Sequence, residues 1–358
     1  MLRASPLLLV FVYCSVIFGI IPQHQCGVYG LAASSSMPPL TARTADHLPL
    51  AKKAMEYFDN SPDPFHAVQT SIDRLTSAGF EELTDGINYK GKVKVGGKYY
   101  FTRNKSTLVA FSVGNRAQAG AGFKVIGGHT DSPNLKVKPR SKRDSGSKAG
   151  AKQVGVECYG GGLWHTWFDR DLGISGRVLV RNGNTIEQKL VKLDRAILRV
   201  PNVAIHLQTA KEREAFAINK EDHLSPILAL EAKKSLTGGD EDENEDDDDK
   251  KKKKKDKENK DGWSEYQEPL LLQILSEEIG VKIADIVDFE LNLFDVQKAN
   301  LGGAYSEFIH SARLDNLASC FLAVEALVDH VEGGNLEDDE DISMVVLYDH
   351  EEVGSSSA

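Results

Sequence analysis

Cysteine is scarce. Of 358 residues only Cys14, Cys26, Cys158 and Cys320 are cysteine, and no two stand in a Cys-x-x-Cys pair. Neither a disulfide framework nor a thiolate zinc knuckle is therefore expected. Positive charge is in deficit too: 43 lysines and arginines stand against 53 acids, a formal charge of −10. A general nucleic-acid binder needs a basic face, which this balance disfavours. No apolar run reaches the roughly 20 residues that span a bilayer, so no stable membrane span is expected. What remains is the composition of a soluble globular protein, 41% hydrophobic and 27% charged. Its length predicts two domains, or one domain carrying an insert. Any metal here is expected on His and carboxylate.

The longest apolar run, Leu7 to Ile21, follows Arg3 and ends at Pro22, with Gly30-Leu31-Ala32 beyond it. A charged start, about 15 apolar residues and a small-x-small site read as a secretory signal, so residues 1–36 are a signal-like leader. A signal anchor, or a true start at Met37, are the alternatives. Cleavage after Ala32 leaves Cys158 and Cys320, so cysteine does not decide the compartment.

Beyond the leader, Leu48, Ala51, Met55 and Phe58 fall at helical spacing, and so do Phe65, Val68, Ile72 and Leu75 after the Ser61-Pro62-Asp63-Pro64 break. Lys98 to Arg103, Thr107 to Val113 and Phe123 to Ile126 read as strands, the first two joined as a hairpin. Two further runs flank Asn182-Gly183-Asn184, a strong hairpin signal. Ile197 to Leu207 and the alternating Val287 to Leu293 add strands, and Leu270 to Leu275 a helix. The expected organisation is an α/β domain in two parts, 45–135 and 301–358, around a β-rich insert, 136–300. Inside the insert, 238–261 runs from an acidic block into six lysines. It cannot bury apolar area to offset its ordering entropy and reads as a solvated, disordered loop. After Asn300, Leu317, Phe321, Val324 and Leu327 mark a buried helix, and Ile342 to Tyr348 a central strand covered on both faces.

Three clusters carry chemistry. Gly127-Gly128-His129-Thr130-Asp131-Ser132-Pro133 follows a strand. In His-x-Asp the imidazole can bind a metal while the carboxylate two residues on accepts its other ring N–H; a hydrogen-bonded loop pair is the plainer alternative. Asp315 stands where the buried helix starts, either as an N-cap or as a carboxylate bridging two metals. Asp349-His350-Glu351-Glu352 follows the central strand, at the sheet edge where open α/β folds bind ligands; a solvated acidic turn is the alternative. Together the clusters suggest a two-metal hydrolase site, with nitrogen and oxygen donors suited to zinc.

At these residues the chain resembles the M18 metallopeptidase family. The resemblance runs from about Leu48 to the last residue. It includes Gly97 to Asn104, Gly127 to Pro133, Tyr159-Gly160-Gly161-Gly162-Leu163-Trp164, Thr166 to Leu172, Ala312 to Leu317 and Glu351-Glu352-Val353-Gly354-Ser355. It implies an α/β/α zinc-peptidase domain with an inserted β-rich dimerisation domain, homo-oligomers built through that insert, and release of N-terminal Asp, then Glu, from peptides. It implies two Zn2+ per subunit, His129 on one, Glu352 on the other and Asp315 bridging. Glu351 is then the general base and Asp131 orients His129. His206 is implied to reach a neighbouring subunit's active site; by itself it reads as a half-buried strand histidine. The family also suggests the cytoplasm, against the leader.

Family members continue beyond the Glu-Glu motif, where an Asp and a His complete the ligands, so the chain as given is expected to be truncated and poorly active. A truncated, non-catalytic assembly subunit is the rival reading. A related di-zinc carboxypeptidase or deacylase fits the metal logic but not the insert motifs.

Overall fold

A computed structural model describes residues 47–84, 86, 88–143, 150–230 and 262–354. The leader, Met37, Ser355 and the charged run 238–261 lie outside the described residues. In chain order the elements begin with α1 (Leu48–Asn60), α2 (Pro64–Ser77), β1 (Glu81–Glu82), β2 (Lys98–Arg103), β3 (Thr107–Val113) and β4 (Phe123–His129). Then come β5 (Asn134–Lys142), β6 (Ala151–Tyr159), β7 (Leu172–Asn182), β8 (Thr185–Leu198), the short α3 (Ala210–Glu214) and β9 (Ile227–Leu230). The last are α4 (Pro269–Ile279), β10 (Ile286–Asp295), β11 (Asn300–Gly302), β12 (Phe308–His310), α5 (Leu314–Glu332) and β13 (Ile342–Tyr348).

The helical spacings fold as read. α2 starts where the sequence stops α1: Pro64 sits in its first turn, and the Asp63 carboxylate accepts the His66 N–H at 3.1 Å. An N-terminal proline gives up an N–H that has no partner in the helix, and the aspartate satisfies another.

Five strands form the first sheet, in the order β1-β2-β3-β13-β4. β13 runs antiparallel to β3 and parallel to β4. Period-2 alternation divides its faces. Tyr100, Leu108, Ala110, Val345 and Leu347 pack under the helices with Tyr57, Phe58, Leu317, Phe321 and Val324. Tyr99, Phe111, Val113 and Met344 turn the other way, into a smaller cluster around Leu83 that contains no helical residue. β13 is therefore buried only at Val345 to Leu347, while Ile342 to Met344 are half-buried rather than covered on both faces. Beside it the edge strand β4 exposes Phe123, Val125 and Ile126.

The second sheet, β8-β7-β10-β5-β6-β9, is antiparallel at each of its pairings. Val178, Val191, Leu193, Leu291 and Leu293 pack there with Leu271 and Leu275 of α4. The strand expected over Ile197 to Leu207 is not formed as such. β8 stops at Leu198, and Ile205–Leu207 are a 3-10 turn. Pro201 stands between them and has no N–H to continue a ladder. No described helix is long and apolar enough to cross a membrane.

The chain crosses between the sheets through residues 130–133, directly after β4, and β5 then pairs with β6 so that Asn134 faces Tyr159. That crossing places the end of the second sheet's β6 beside the carboxyl ends of β4 and β13.

Candidate metal centre

β4 ends at His129 and β13 at Tyr348, partners in one parallel register. The residues that follow each strand therefore leave the sheet side by side, at the edge where parallel strands present their carboxyl ends. Thr130 pins the two ends together: its N–H and its hydroxyl both donate to the Tyr348 carbonyl, at 2.7 and 3.0 Å.

α5 brings the third segment. The Asn316 side-chain oxygen accepts the His129 N–H at 3.3 Å, the Cys320 thiol donates to the His129 carbonyl at 3.0 Å, and Ser132 Oγ donates to the Asp315 carbonyl at 2.9 Å. Asp315 and Asn316 do not hold helical backbone angles, and no side chain caps the helix start. The Asp315 carboxylate is thus free of capping and stands with Oδ1 3.3 Å from His129 Nε2.

The imidazole has a definite orientation. Nδ1 lies 2.9 Å from the Asp131 main-chain carbonyl, and 3.4 Å from the Asp131 carboxylate. A carbonyl only accepts, so Nδ1 carries the proton, and Nε2 of the neutral ring keeps its lone pair toward the acids. Nε2 is 3.7 Å from Glu351 Oε2. One donor atom each from His129, Glu351 and Glu352 lie within 4.8 Å of one another.

Sequence reasoning gave Asp131 one duty, orienting His129. In the fold the nearer partner of that ring is the Asp131 carbonyl, and the carboxylate, 3.4 Å from the same nitrogen, has further partners. It is fully buried and accepts the Glu351 N–H at 3.3 Å, the Glu352 N–H at 3.0 Å and the Tyr159 hydroxyl at 2.8 Å. Burial alone would raise its pKa, but His129, the Glu352 amide and Tyr159 hold it below the usual carboxylate value. Burial, then the Asp131 charge, push the Tyr159 phenol up, so it remains a donor. Tyr159 was visible in the sequence only as the residue before a Gly-Gly-Gly run, with no role. Gly160 shows why glycine follows: its φ is +74°, and a Cβ there would sit 3.0 Å from Glu352 Cβ.

Like charges crowd the site. Asp131, Asp315, Glu351 and Glu352 surround one imidazole, and the Glu352 carboxyl is raised by burial and by the other three acids against the pull of His129. Burial lowers the pKa of His129, but hydrogen bonds and charges of Asp131, with Glu351, outweigh it and raise the ring to about 9. A divalent cation relieves that crowding, and one imidazole with several carboxylates and no thiolate is a donor set suited to zinc. The residues fit such a group. The Asp315 and Glu351 side chains are 59% and 61% exposed, so one side stays open to solvent.

His206 stands elsewhere, exposed on its 3-10 turn. Its side chain makes no hydrogen bond or ion pair among the described residues, and the half-buried strand reading is corrected. Exposed Val203, Ile205 and Leu207 surround it. A cleft of about 660 Å³ along Phe168, Asp169, Arg170 and Asp295 contains none of the candidate residues.

Residues 57–358 match the family described as Aminopeptidase I zinc metalloprotease (M18). The chain is 44% identical over 324 residues to an aspartyl aminopeptidase of Aspergillus oryzae, covering 89% of this chain and 64% of that protein. For the aspartyl aminopeptidase of Dictyostelium discoideum the identity is 43% over 312 residues, covering 87% and 63%. Among solved structures, a chain in the cryo-EM structure of the Ape4 and Nbr1 complex superposes with a TM-score of 0.77 at 38% identity, over 88% of this chain and 57% of that one. The Saccharomyces cerevisiae mApe1 dodecamer gives 0.69 at 29% identity, over 87% and 63%. The chain therefore spans just under two thirds of the length of the first curated relatives it matches.

Proposed function

The chain belongs to the M18 family of zinc metallopeptidases, and from that membership we propose that it is an aminopeptidase releasing N-terminal acidic residues, Asp before Glu, from peptides. The observation that carries the reading is the convergence of His129, Glu351 and Glu352 donors within 4.8 Å, with Asp315 3.3 Å from the same imidazole. The names of the relatives, aspartyl aminopeptidases at 43–44% identity, support the acidic preference.

In this reading His129, Asp315 and Glu352 hold two zinc ions per subunit. Bound there, zinc supplies Lewis-acid polarisation of the scissile carbonyl and a water acidic enough to react at neutral pH. The protein's own groups do the rest. Glu351, exposed at the open side, takes the proton of the attacking water and returns it to the leaving amine. Asp131 holds the amides of Glu351 and Glu352, and its carbonyl keeps the His129 proton on Nδ1, so base and ligands meet the substrate already oriented.

His206, with exposed Val203, Ile205 and Leu207 around it, belongs in this reading to a contact between copies that carries it to a neighbouring site, where it stabilises the oxyanion. The related dodecamer supports a homo-oligomeric assembly, and the second sheet is the surface assigned to it.

The test compares three peptides in the presence of zinc: one with a free N-terminal Asp, the same peptide acetylated, and one with Asp only at its C-terminus. Release of Asp from the first alone, lost with a chelator, is expected. Equal cleavage of the acetylated peptide, C-terminal release, or cleavage that a chelator leaves unchanged would overturn the proposal.

A further inference from the structure

A side chain at the end of the second sheet reaches the metal centre. Register pairs Asn134 with Tyr159 at the end of the β5–β6 hairpin. That pairing sets the Tyr159 phenol over the crossing that contains Asp131. The phenol is held on three sides: its hydroxyl donates to Asp131 Oδ2 at 2.8 Å, lies 3.1 Å from His350 Nδ1, and the Lys136 ammonium sits 4.1 Å above the ring centroid. A phenol has one proton, and Asp131 takes it. His350 Nδ1–H therefore donates to the phenol oxygen, making a directed chain His350 → Tyr159 → Asp131.

Asp131 Oδ2 has two donors, the phenol and the Glu352 amide. Without the phenol, a fully buried carboxylate oxygen would rely on a single main-chain N–H, and a buried charge left short of donors rearranges to find them. The main-chain neighbours of the carboxylate are the amides of the Glu351–Glu352 turn, the backbone that aims both glutamates, and the His129 ring lies 3.4 Å away.

We propose that Tyr159 is a positioning residue for the metal centre: its hydroxyl fixes the Asp131 carboxylate, and through it the main chain of Glu351 and Glu352, so that the second sheet sets how tightly the site binds metal. The inference rests on the metallopeptidase reading above and adds to it a part of the molecule outside the catalytic sheet. Tyr159 is not one of the donors that converge at the site.

Tyr159→Phe tests it, because phenylalanine keeps the ring under Lys136 and deletes only the hydroxyl. Tyr57→Phe is the control: it deletes a more deeply buried hydroxyl, bonded to Ser71 Oγ at 2.9 Å in the helical layer. Zinc affinity is measured by competition with a chromophoric chelator, and the visible spectrum is taken after loading with cobalt(II). Tyr159→Phe is expected to weaken zinc by about 10- to 100-fold, as for other partners that orient ligands, and to shift the cobalt spectrum; Tyr57→Phe changes neither.

Amide exchange is followed in parallel on the metal-free protein. In Tyr159→Phe the Glu351 and Glu352 amides are expected to exchange about tenfold faster, with the exchange of the β7–β8 ladder unchanged. The two readouts separate the two claims. Faster exchange at those amides in Tyr159→Phe, together with a parent chain that binds no zinc, would uphold the positioning role and sink the metal reading. Unchanged exchange, or zinc affinity within twofold of the parent, would overturn the positioning role while leaving the metal site standing.

Discussion

The N–H of Glu352 donates to the Oδ2 of Asp131 at 3.0 Å, across 221 residues of sequence. The same carboxylate accepts the Glu351 N–H. A side chain two residues after one candidate ligand therefore sets the backbone of another, Glu352, and of the candidate base, Glu351.

Asp131→Asn keeps the shape but trades one acceptor oxygen for an amide that donates, setting N–H against N–H at the Glu351–Glu352 turn. Zinc affinity is expected to fall about 10- to 100-fold, read by competition titration. Affinity within twofold of the parent would show that the turn holds itself.

Glu351→Gln should leave zinc content intact while lowering turnover at least about 10²-fold, the usual loss for a general base. Metal analysis and an assay of N-terminal Asp release check the two halves. Loss of zinc along with turnover would make Glu351 a ligand instead of a base, an assignment its place in the donor cluster keeps chemically open.

Under the site, Phe321 is 4% exposed and packs its ring 5.6 Å from Tyr57 and 6.3 Å from Phe58, centroid to centroid. Phe321→Ala is expected to destabilise the protein by about 3–5 kcal/mol through lost burial and the cavity left behind. Chemical unfolding measures it. A loss under about 1 kcal/mol would mean that the helices close over the gap, since the cost depends on how far a site collapses.

Asp339 gives a pH signature at the opposite end of the sheet. Burial would raise its carboxyl, yet the Lys124 ammonium at 2.8 Å, the Asp341 N–H at 3.0 Å and His330 Nε2 at 3.0 Å bring it down to about 2 from an ordinary 3.8. A carboxyl depressed in the folded state adds stability above its unfolded pKa and loses it as pH falls through the folded one. Asp339→Asn should therefore cost about 1–2 kcal/mol at neutral pH. The gap to the parent should stay flat down to pH 3.8 and close as pH approaches 2. A gap that closes already above pH 5 would contradict this assignment.

Much of this was legible because it is local. Lys98 to Arg103, Thr107 to Val113 and Ile342 to Tyr348 were read with the bounds they have in the fold, since alternation and apolar runs are carried by neighbouring residues. β5 and β6 carry no such signal: Asn134–Lys142 interleaves Leu135 and Val137 with lysines, arginine and Pro139, so its two buried apolar positions make no run. Ile197 to Leu207 was over-read, because its apolar residues outweighed Pro201 in the pattern but not in the ladder.

Residue type and order alone determined the family, the zinc-competent donor set and the three segments that carry it, because chemistry of that kind is written in side-chain identity. Only the tertiary structure decided that Asp315 faces an imidazole instead of capping a helix, that Asp131 holds the Glu351–Glu352 turn, and that Tyr159 comes from another sheet to hold Asp131. Those facts depend on strand register and on where buried donors find acceptors. Neither quantity is a property of any one stretch of chain.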